Sequence, residues 1–485
     1  MNRRIWWSAL AIAALDLALR LTGLGQIESL VFDEVYYVPF ALDYLQGTPS
    51  FDAHPPLGKY FIALGLWLGQ WPALWLGWPS LEVNGTLVSP LAFRWLNALV
   101  GATIPVLLAA IAWELGTVSK GDQGDRFPLT EEDPPKSPLK RGTLKQLITP
   151  LLKGGRGDLL TLRQYRFALL AGLLMAMEGL TLVESRLALI NIYGLALGLL
   201  GQWAWLRARQ SQHPVRWRCL AGIALGAAVN VKWNWAGLWL GLLLWEIGFN
   251  RNPGSITPKT THPAWRDRLV YLGMLPLLTY LLLWLPHLAL TNEALVTVHQ
   301  RLWSTHQSIG ANGSHTYCSP WHSWPLMVRP VAYFFERSGQ GAEAVATTIH
   351  AMGNPVLWWL STAAILVMAL GWLGRQVSVG AQPAAPLATR AVVPFILLNY
   401  LANWLPWALV SRCTFFYHAM GLGTFGTLGL AWLMAQWLEN RRDRTLALLL
   451  LGAIALSFWF WLPLYLGLPL PVDALQRRWL LPGWI

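Results

Sequence analysis

Residues 5–24 read IWWSALAIAALDLALRLTGL, an almost unbroken apolar run placed directly behind Arg3 and Arg4. A helix rises about 1.5 Å per residue, so roughly 20 apolar residues cross the ~30 Å of a bilayer's hydrocarbon. No small-residue cleavage site follows, so the run reads as a retained membrane helix rather than a signal peptide. The two arginines ahead of it place its amino end on the cytoplasmic side.

Working outward, comparable runs recur at residues 91–115, 166–183, 186–206, 217–231, 236–248, 269–290, 355–374, 391–410, 414–437 and 445–466. In lipid every backbone N–H and C=O must be paired within the protein, which leaves helices or a closed barrel. Runs of this length select helices, so the expectation is an all-α polytopic membrane protein with about eleven transmembrane helices. An odd count puts the carboxyl end outside. The composition agrees: of 485 residues, 55% are hydrophobic and 12% charged, and 31 are tryptophan, more apolar surface than a soluble fold can cover.

The formal net charge of +12 does not indicate nucleic acid, because the basic residues gather on no single face. They fall instead between apolar runs: Arg207, Arg209 and Arg216; Arg251, Lys259, Arg266 and Arg268; Arg375 and Arg390; Arg441, Arg442 and Arg444. Basic loops mark the cytoplasmic side. The whole chain, 1–485, then reads as one membrane domain with two large external loops, at residues 25–90 and 291–354. The stretch 117–164, with EEDPPKSPLKRG and LLKGGRGD, has the composition of a disordered cytoplasmic insert. In the second loop, residues 295–307 suit an interfacial helix with Leu302 and Trp303 turned to lipid. Cys219, Cys318 and Cys413 show no CxxC spacing and read as buried small hydrophobes, although Cys318 and Cys413 share the outer side, where a bond is permitted. NGT at Asn84 and NGS at Asn312 match glycosylation sequons.

Two motifs in the first loop carry chemistry. FDEVYY at 32–37 puts adjacent carboxylates just past the first helix, and FDAHPPLGKY follows at 51–60. Alone, the acids could cap a helix and HPP could simply start one. Together they are less ordinary. His54, Pro55 and Pro56 stiffen the chain, and Pro56, Gly58 and Lys59 can open a short helix along the membrane surface, folding the loop back over the carboxylates. His54, His315, His322 and His418 lack the i, i+4 spacing of a helical zinc pair, so no metal is assigned.

FDE with HPPLGK about twenty residues on resembles the first-loop signature of the protein O-mannosyltransferases. Further likenesses are FRWLNALVGATIPVLL from Phe93, ESRLALI from Glu184, NVKWNWAG from Asn230, SPWHSWPLMVRPVAYFF from Ser319, GNPVLWW from Gly353 and SRCTFFYHAM from Ser411. They cover most of the chain. The second loop is too short for the MIR module of eukaryotic relatives, which indicates the compact bacterial type. Asn191 stands where the family often has an acid, and the insert at 117–164 has no counterpart.

The resemblance implies a GT-C fold in a bacterial plasma membrane and a polyprenyl-phosphate mannose donor. Acceptors would be Ser/Thr-containing proteins, met at the outer face and near the export machinery. It makes Asp33 the catalytic base and Glu34 the residue that orients it or the acceptor. One base and a β-linked donor give inversion without a second carboxylate nucleophile. The departing phosphate gains charge and calls for cations, for which Arg94, Lys232 and Arg412 are candidates and Arg186 a fourth. Each sits near the end of an apolar run, where snorkelling to the interface is the alternative. Lys232 lies between two runs each shorter than a full crossing, so its turn is expected below the surface. No cofactor is expected. Two alternatives remain: a GT-C transferase acting on lipid A or another glycolipid, and a transporter, for which no inverted repeat is visible.

Overall fold

The computed structural model describes residues 3–121, 156–248, 263–308, 315–377 and 387–484. Its architecture is helical, with two small sheets on the loops. The apolar run that opens the chain forms α1 (Arg3–Leu21), and the first loop folds into α2 (Glu34–Gln46), α3 (Leu57–Trp75) and a hairpin of β1 (Leu81–Val83) and β2 (Thr86–Val88). Asn84 and Gly85, with φ of 49° and 74°, make the left-handed two-residue turn that matches the twist of a hairpin. The helix opened by HPP is 19 residues long rather than short. After Lys59 it carries no charge to stop it, and Trp67, Trp71 and Trp75 line its exposed face at i, i+4 spacing.

The bundle continues with α4 (Pro90–Gly101), α5 (Thr103–Gly121), α6 (Arg156–Ala176), α7 (Gly179–Arg186), α8 (Asn191–Ala208), α9 (Pro214–Val231) and α10 (Ala236–Gly248). Then come α11 (Trp265–Thr291), α12 (Leu295–Ser308), α13 (Pro355–Val377), α14 (Leu387–Ala402), α15 (Met420–Trp437) and α16 (Arg441–Leu466). The apolar runs are mostly helical, but the run at 391–410 leaves its α-helix at Ala402 and ends in a 3-10 turn, Leu405–Leu409. Among the described residues, five spans are long and apolar enough to cross a membrane, and α6 with α7, bent by 56°, make a sixth if the pair is one span. The bend sits at Glu178, whose carboxylate caps α7 by accepting from Leu180 N and Thr181 N. The expected boundary near residue 184 is therefore two breaks, one on each side of α7.

Burial separates the bundle's layers. α15 is buried along nearly its whole length, as befits a helix apolar all round. In α11 and α16 the most apolar window is only 17% and 22% buried inside the protein, so most of their apolar surface is left exposed. α8 and α9 pack side by side, as do α5 and α6.

Several expectations change here. The flanks of the insert are helical, since α5 runs to Gly121 and α6 starts at Arg156, a helix gaining one hydrogen bond per added residue. Residues 122–155 of that insert, and the sequon at 312, lie outside the described residues. Leu302 does not face lipid. It is fully buried against Trp284 and Val298, whereas Trp303, one residue and about 100° further round α12, is 61% exposed. Cys318 and Cys413 are not free hydrophobes but a disulfide. The second loop also holds β3 (Val331–Ser338) antiparallel to β4 (Val345–Ala351), and the chain's end adds β5 (Leu470–Pro471) to β4.

Candidate active site

Asp33 stands at the N-cap of α2 but makes no capping bond, so its carboxylate is not consumed by the helix. The residue before it, Phe32, has φ of 53°, a left-handed conformation that a bulky side chain adopts only when its surroundings impose it. What imposes it is packing: the Phe32 ring stacks on Tyr333 of β3 at 3.9 Å. Burial pushes the Asp33 carboxyl up to about 6, against the pull of Lys232 and with a smaller push from Asp52. A carboxylate tuned toward neutrality is suited to proton transfer.

Glu34 is differently placed. It is fully buried, accepts from Arg94 Nε at 2.8 Å and Arg94 Nη2 at 2.7 Å, and takes the N–H groups of Val31 and Ala188 at 2.9 and 2.7 Å. Arg94 completes its bonds on the carbonyls of Leu24, Ile27 and Ser29. Arg186 gives its guanidinium to the carbonyls of Leu19, Arg20, Thr22 and Leu466. Both arginines border a void of about 10 Å³, too small for more than a water.

The second motif folds onto the first. Lys59 pairs with Asp52 and donates to the carbonyls of His54 and Pro55 at 2.8 and 3.0 Å, so its ammonium ties together the turn that precedes α3. Burial would raise the Asp52 carboxyl, but Lys59 and His54 outweigh it and hold it below the usual range. Burial drives the His54 ring down to about 4, so it is neutral near pH 7 and can donate Nδ1–H to Asp52 at 3.4 Å. Pro56 is the N-cap of α3. Gly58 lets that first turn lie flat, since a Cβ there would meet Ile190 at 2.7 Å and Val231 at 3.3 Å.

Those two contacts bring in the last element. α9 stops at Val231, Lys232 is extended with φ of −164° and ψ of 136°, and Trp233–Trp235 form a 3-10 turn before α10. The break falls where the two short runs predict it. The Lys232 ammonium donates to Asn191 Oδ1 at 3.2 Å and lies 5.2 Å from the Tyr417 ring, and it has no ion pair among the described residues. It opens on a cavity of about 890 Å³ shared with His54, Pro55, His306 and Arg412. Arg412 donates to its neighbour Cys413's carbonyl at 3.3 Å and likewise has no ion pair among the described residues. Most of the remaining wall is apolar, from Trp233, Trp239, Leu240, Trp303, Trp407 and Leu409.

The structure thus gathers Lys232, Arg412, His54 and Pro55 at one cavity, with Asp33 close enough to share a field with Lys232. Arg94 and Arg186 are elsewhere. Glu184, Asp52, His306, Tyr333 and Tyr417 join the site without having been singled out. For Glu184 and Asp52 the signal was present, an acid within the apolar ESRLALI and another inside FDAHPP. Tyr333 and Tyr417 had none. The four histidines scatter: His54 is on Asp52, His418 packs on Trp407, His315 meets Phe415, and His322 lies against Trp321.

The family model for dolichyl-phosphate-mannose-protein mannosyltransferase matches residues 10–119 and 147–292, and that for the C-terminal four-transmembrane region of protein O-mannosyltransferase matches 291–484. Polyprenol-phosphate-mannose–protein mannosyltransferase of Mycolicibacterium smegmatis is 24% identical over 90% of this chain and 84% of its own. Its namesake from Corynebacterium glutamicum is 23% identical over 88% and 81%. In structure, the chain is similar to the Saccharomyces cerevisiae protein O-mannosyltransferase Pmt1–Pmt2 complex bound to the sugar donor. The TM-score is 0.74 at 14% identity, covering 100% of this chain and 93% of that one. The fold is that of a polytopic GT-C glycosyltransferase. Within that class, the chain belongs to the dolichyl-phosphate-mannose-protein mannosyltransferase family.

Proposed function

We propose that this protein transfers mannose from a polyprenyl-phosphate carrier to Ser/Thr hydroxyls of proteins at the outer face of a bacterial plasma membrane. The observation that carries the reading is the cavity at the α9–α10 break. It sets two cations without carboxylate partners among the described residues, Lys232 and Arg412, in a mostly apolar wall. A lipid phosphate asks for that combination, charge for the head and apolar surface for the prenyl chain.

In this reading Asp33 accepts the proton of the acceptor hydroxyl as its oxygen attacks the anomeric carbon. A positioned base contributes about 10²- to 10⁴-fold. The C–O bond to phosphate breaks as the new one forms, with inversion, and Lys232 and Arg412 stabilise the charge that grows on the leaving phosphate. Arg94 and Arg186 take positioning roles: Arg94 fixes Glu34, and Glu34 fixes both Val31 before Asp33 and Ala188 in the α7–α8 turn. The HPPLGK segment is the wall that brings His54 against the phosphate end.

The topology proposed with it has eleven spans, a cytoplasmic amino end and external loops at 25–90 and 291–354. The Cys318–Cys413 bond supports an oxidising side for the second loop, and β5 on β4 supports a carboxyl end on that same side. Acceptor segments would meet the site as they leave the export machinery. A glycolipid acceptor is not favoured by the family. The direct test is transfer from labelled polyprenyl-phosphate mannose to a Ser/Thr-rich peptide in purified, reconstituted protein. Alkali-labile labelled peptide is expected; transfer to lipid alone would overturn the acceptor assignment.

A further inference from the structure

One buried carboxyl near the cavity has no part in that mechanism. Glu184, at the end of α7, is fully buried, and an acid among apolar helices is costly unless it is hydrogen-bonded. It holds two partners, one seven residues on and one 149 residues away. Tyr333 Oη of β3 donates to Oε1, and Asn191 Nδ2 at the start of α8 donates to Oε2 at 3.0 Å. We infer that Glu184 is a positioning residue for the transfer step, aligning Lys232 through Asn191 and the Asp33 turn through Tyr333. The inference rests on the roles assigned to Lys232 and Asp33 above.

The Asn191 arm follows from amide chemistry. A carboxamide has one acceptor end and one donor end. Because Glu184 accepts from Nδ2, Oδ1 is left facing Lys232, which donates to it at 3.2 Å. A neutral acceptor directs the ammonium without cancelling its charge, so that charge stays available to a phosphate. The Tyr333 arm follows from packing. Tyr333 sits where the β3–β4 register shifts, between Ala332 and Phe334, and its ring carries the stacked Phe32. Phe32 is held in its left-handed conformation directly before Asp33. One carboxyl therefore fixes both groups that a displacement requires, the base and the cation for the leaving group.

The two arms predict separable losses. Asn191→Ala is expected to weaken binding of unreactive polyprenyl phosphate about tenfold and to raise the donor KM, the scale of one hydrogen bond to a charged group. Tyr333→Phe keeps the stack but loses the hydroxyl, and is expected to lower kcat about tenfold with donor affinity unchanged. Glu184→Gln keeps an acceptor oxygen for Tyr333 but turns an N–H2 group toward Asn191, so it should reproduce the donor-binding loss. In a double-mutant cycle, Asn191→Ala should add nothing to Lys232→Gln for donor binding, since they act on one contact. Thermal melts are run on every variant; should Glu184→Gln not fold, the two single-arm variants still decide. Parent-like binding and turnover in both arm variants, or full additivity with Lys232→Gln, overturns the inference while the site reading stands. Parent-like donor binding in Lys232→Gln overturns both.

Discussion

Two groups of cations flank the first loop, and they look alike in the sequence. On one side Arg94 and Arg186 spend their guanidinium bonds on Glu34 and on carbonyls of α1 and the segment after it, around a void of about 10 Å³. On the other side Lys232 and Arg412 have no carboxylate partner among the described residues and face a cavity of about 890 Å³. All four stand near the ends of apolar helices, where a charge is expensive. Depth therefore does not separate structural from ligand-binding cations. What separates them is whether their donors are already committed. The same contrast divides the adjacent acids: Glu34 is saturated, and Asp33 is not.

The largest effect should come from splitting that acidic pair. Asp33→Asn keeps volume and removes the base, so transfer should fall at least about 10²-fold with folding and donor binding intact. Glu34→Gln should instead lose stability, by about 3–5 kcal/mol, because it leaves Arg94 buried without its counter-charge. Turnover assays beside thermal melts tell the two apart. Near-normal turnover in Asp33→Asn would remove it from the catalytic role.

Splitting the cations is the next test. Arg412→Gln and Lys232→Gln should weaken binding of unreactive polyprenyl phosphate and also slow the chemical step, since leaving-group charge grows during reaction. Arg94→Gln should lower the melting temperature first and activity only in proportion to unfolded protein. Donor binding by the two cavity variants equal to the parent would leave snorkelling as the account of those charges.

This division shows how far the sequence can be read. FDE and HPPLGK were legible because each is local: a cap position, two prolines and a glycine act within one turn. The break at Lys232 was legible from length alone. Glu184 with Tyr333 was not, since 149 residues separate them and only the placement of β3 over α7 joins them. Nor could the run near 300 say that Leu302 is buried while Trp303 borders the cavity, because helix phase is set by neighbours outside α12, Trp284 among them. Arg94 and Arg412 were indistinguishable for a related reason: the carbonyls that claim Arg94 belong to α1's exit, more than sixty residues earlier in the chain.

A smaller effect is expected in the pH profile. Burial raises Asp33 to about 6, and Lys232 opposes that rise. The basic form is lost as pH falls through the pKa, so kcat/KM should drop on the acid side with a midpoint near 6. Lys232→Gln removes a charge that stabilises the carboxylate, so in that variant the midpoint should move upward. A midpoint that stays put, or moves down, would show that the limb belongs to another group.

The smallest effect on activity should come from the disulfide, although it sits one residue from Arg412. Cys318 and Cys413 are 95 residues apart, and opening so long a loop frees the unfolded chain; about 2–4 kcal/mol of stability should go with it. Local geometry has a second tie. Ser319 N donates to Thr414 O at 2.7 Å, and Thr414 Oγ1 returns a bond to Ser319 O at 2.7 Å, so the two segments stay in register beside the cavity without sulfur. Cys318→Ser with Cys413→Ser should therefore melt earlier yet bind polyprenyl phosphate within about threefold of the parent, a loss smaller than one hydrogen bond. If donor binding collapses while the melt barely moves, the disulfide itself sets the Arg412 position, and the partner accounting that separates the two cation groups must include covalent ties.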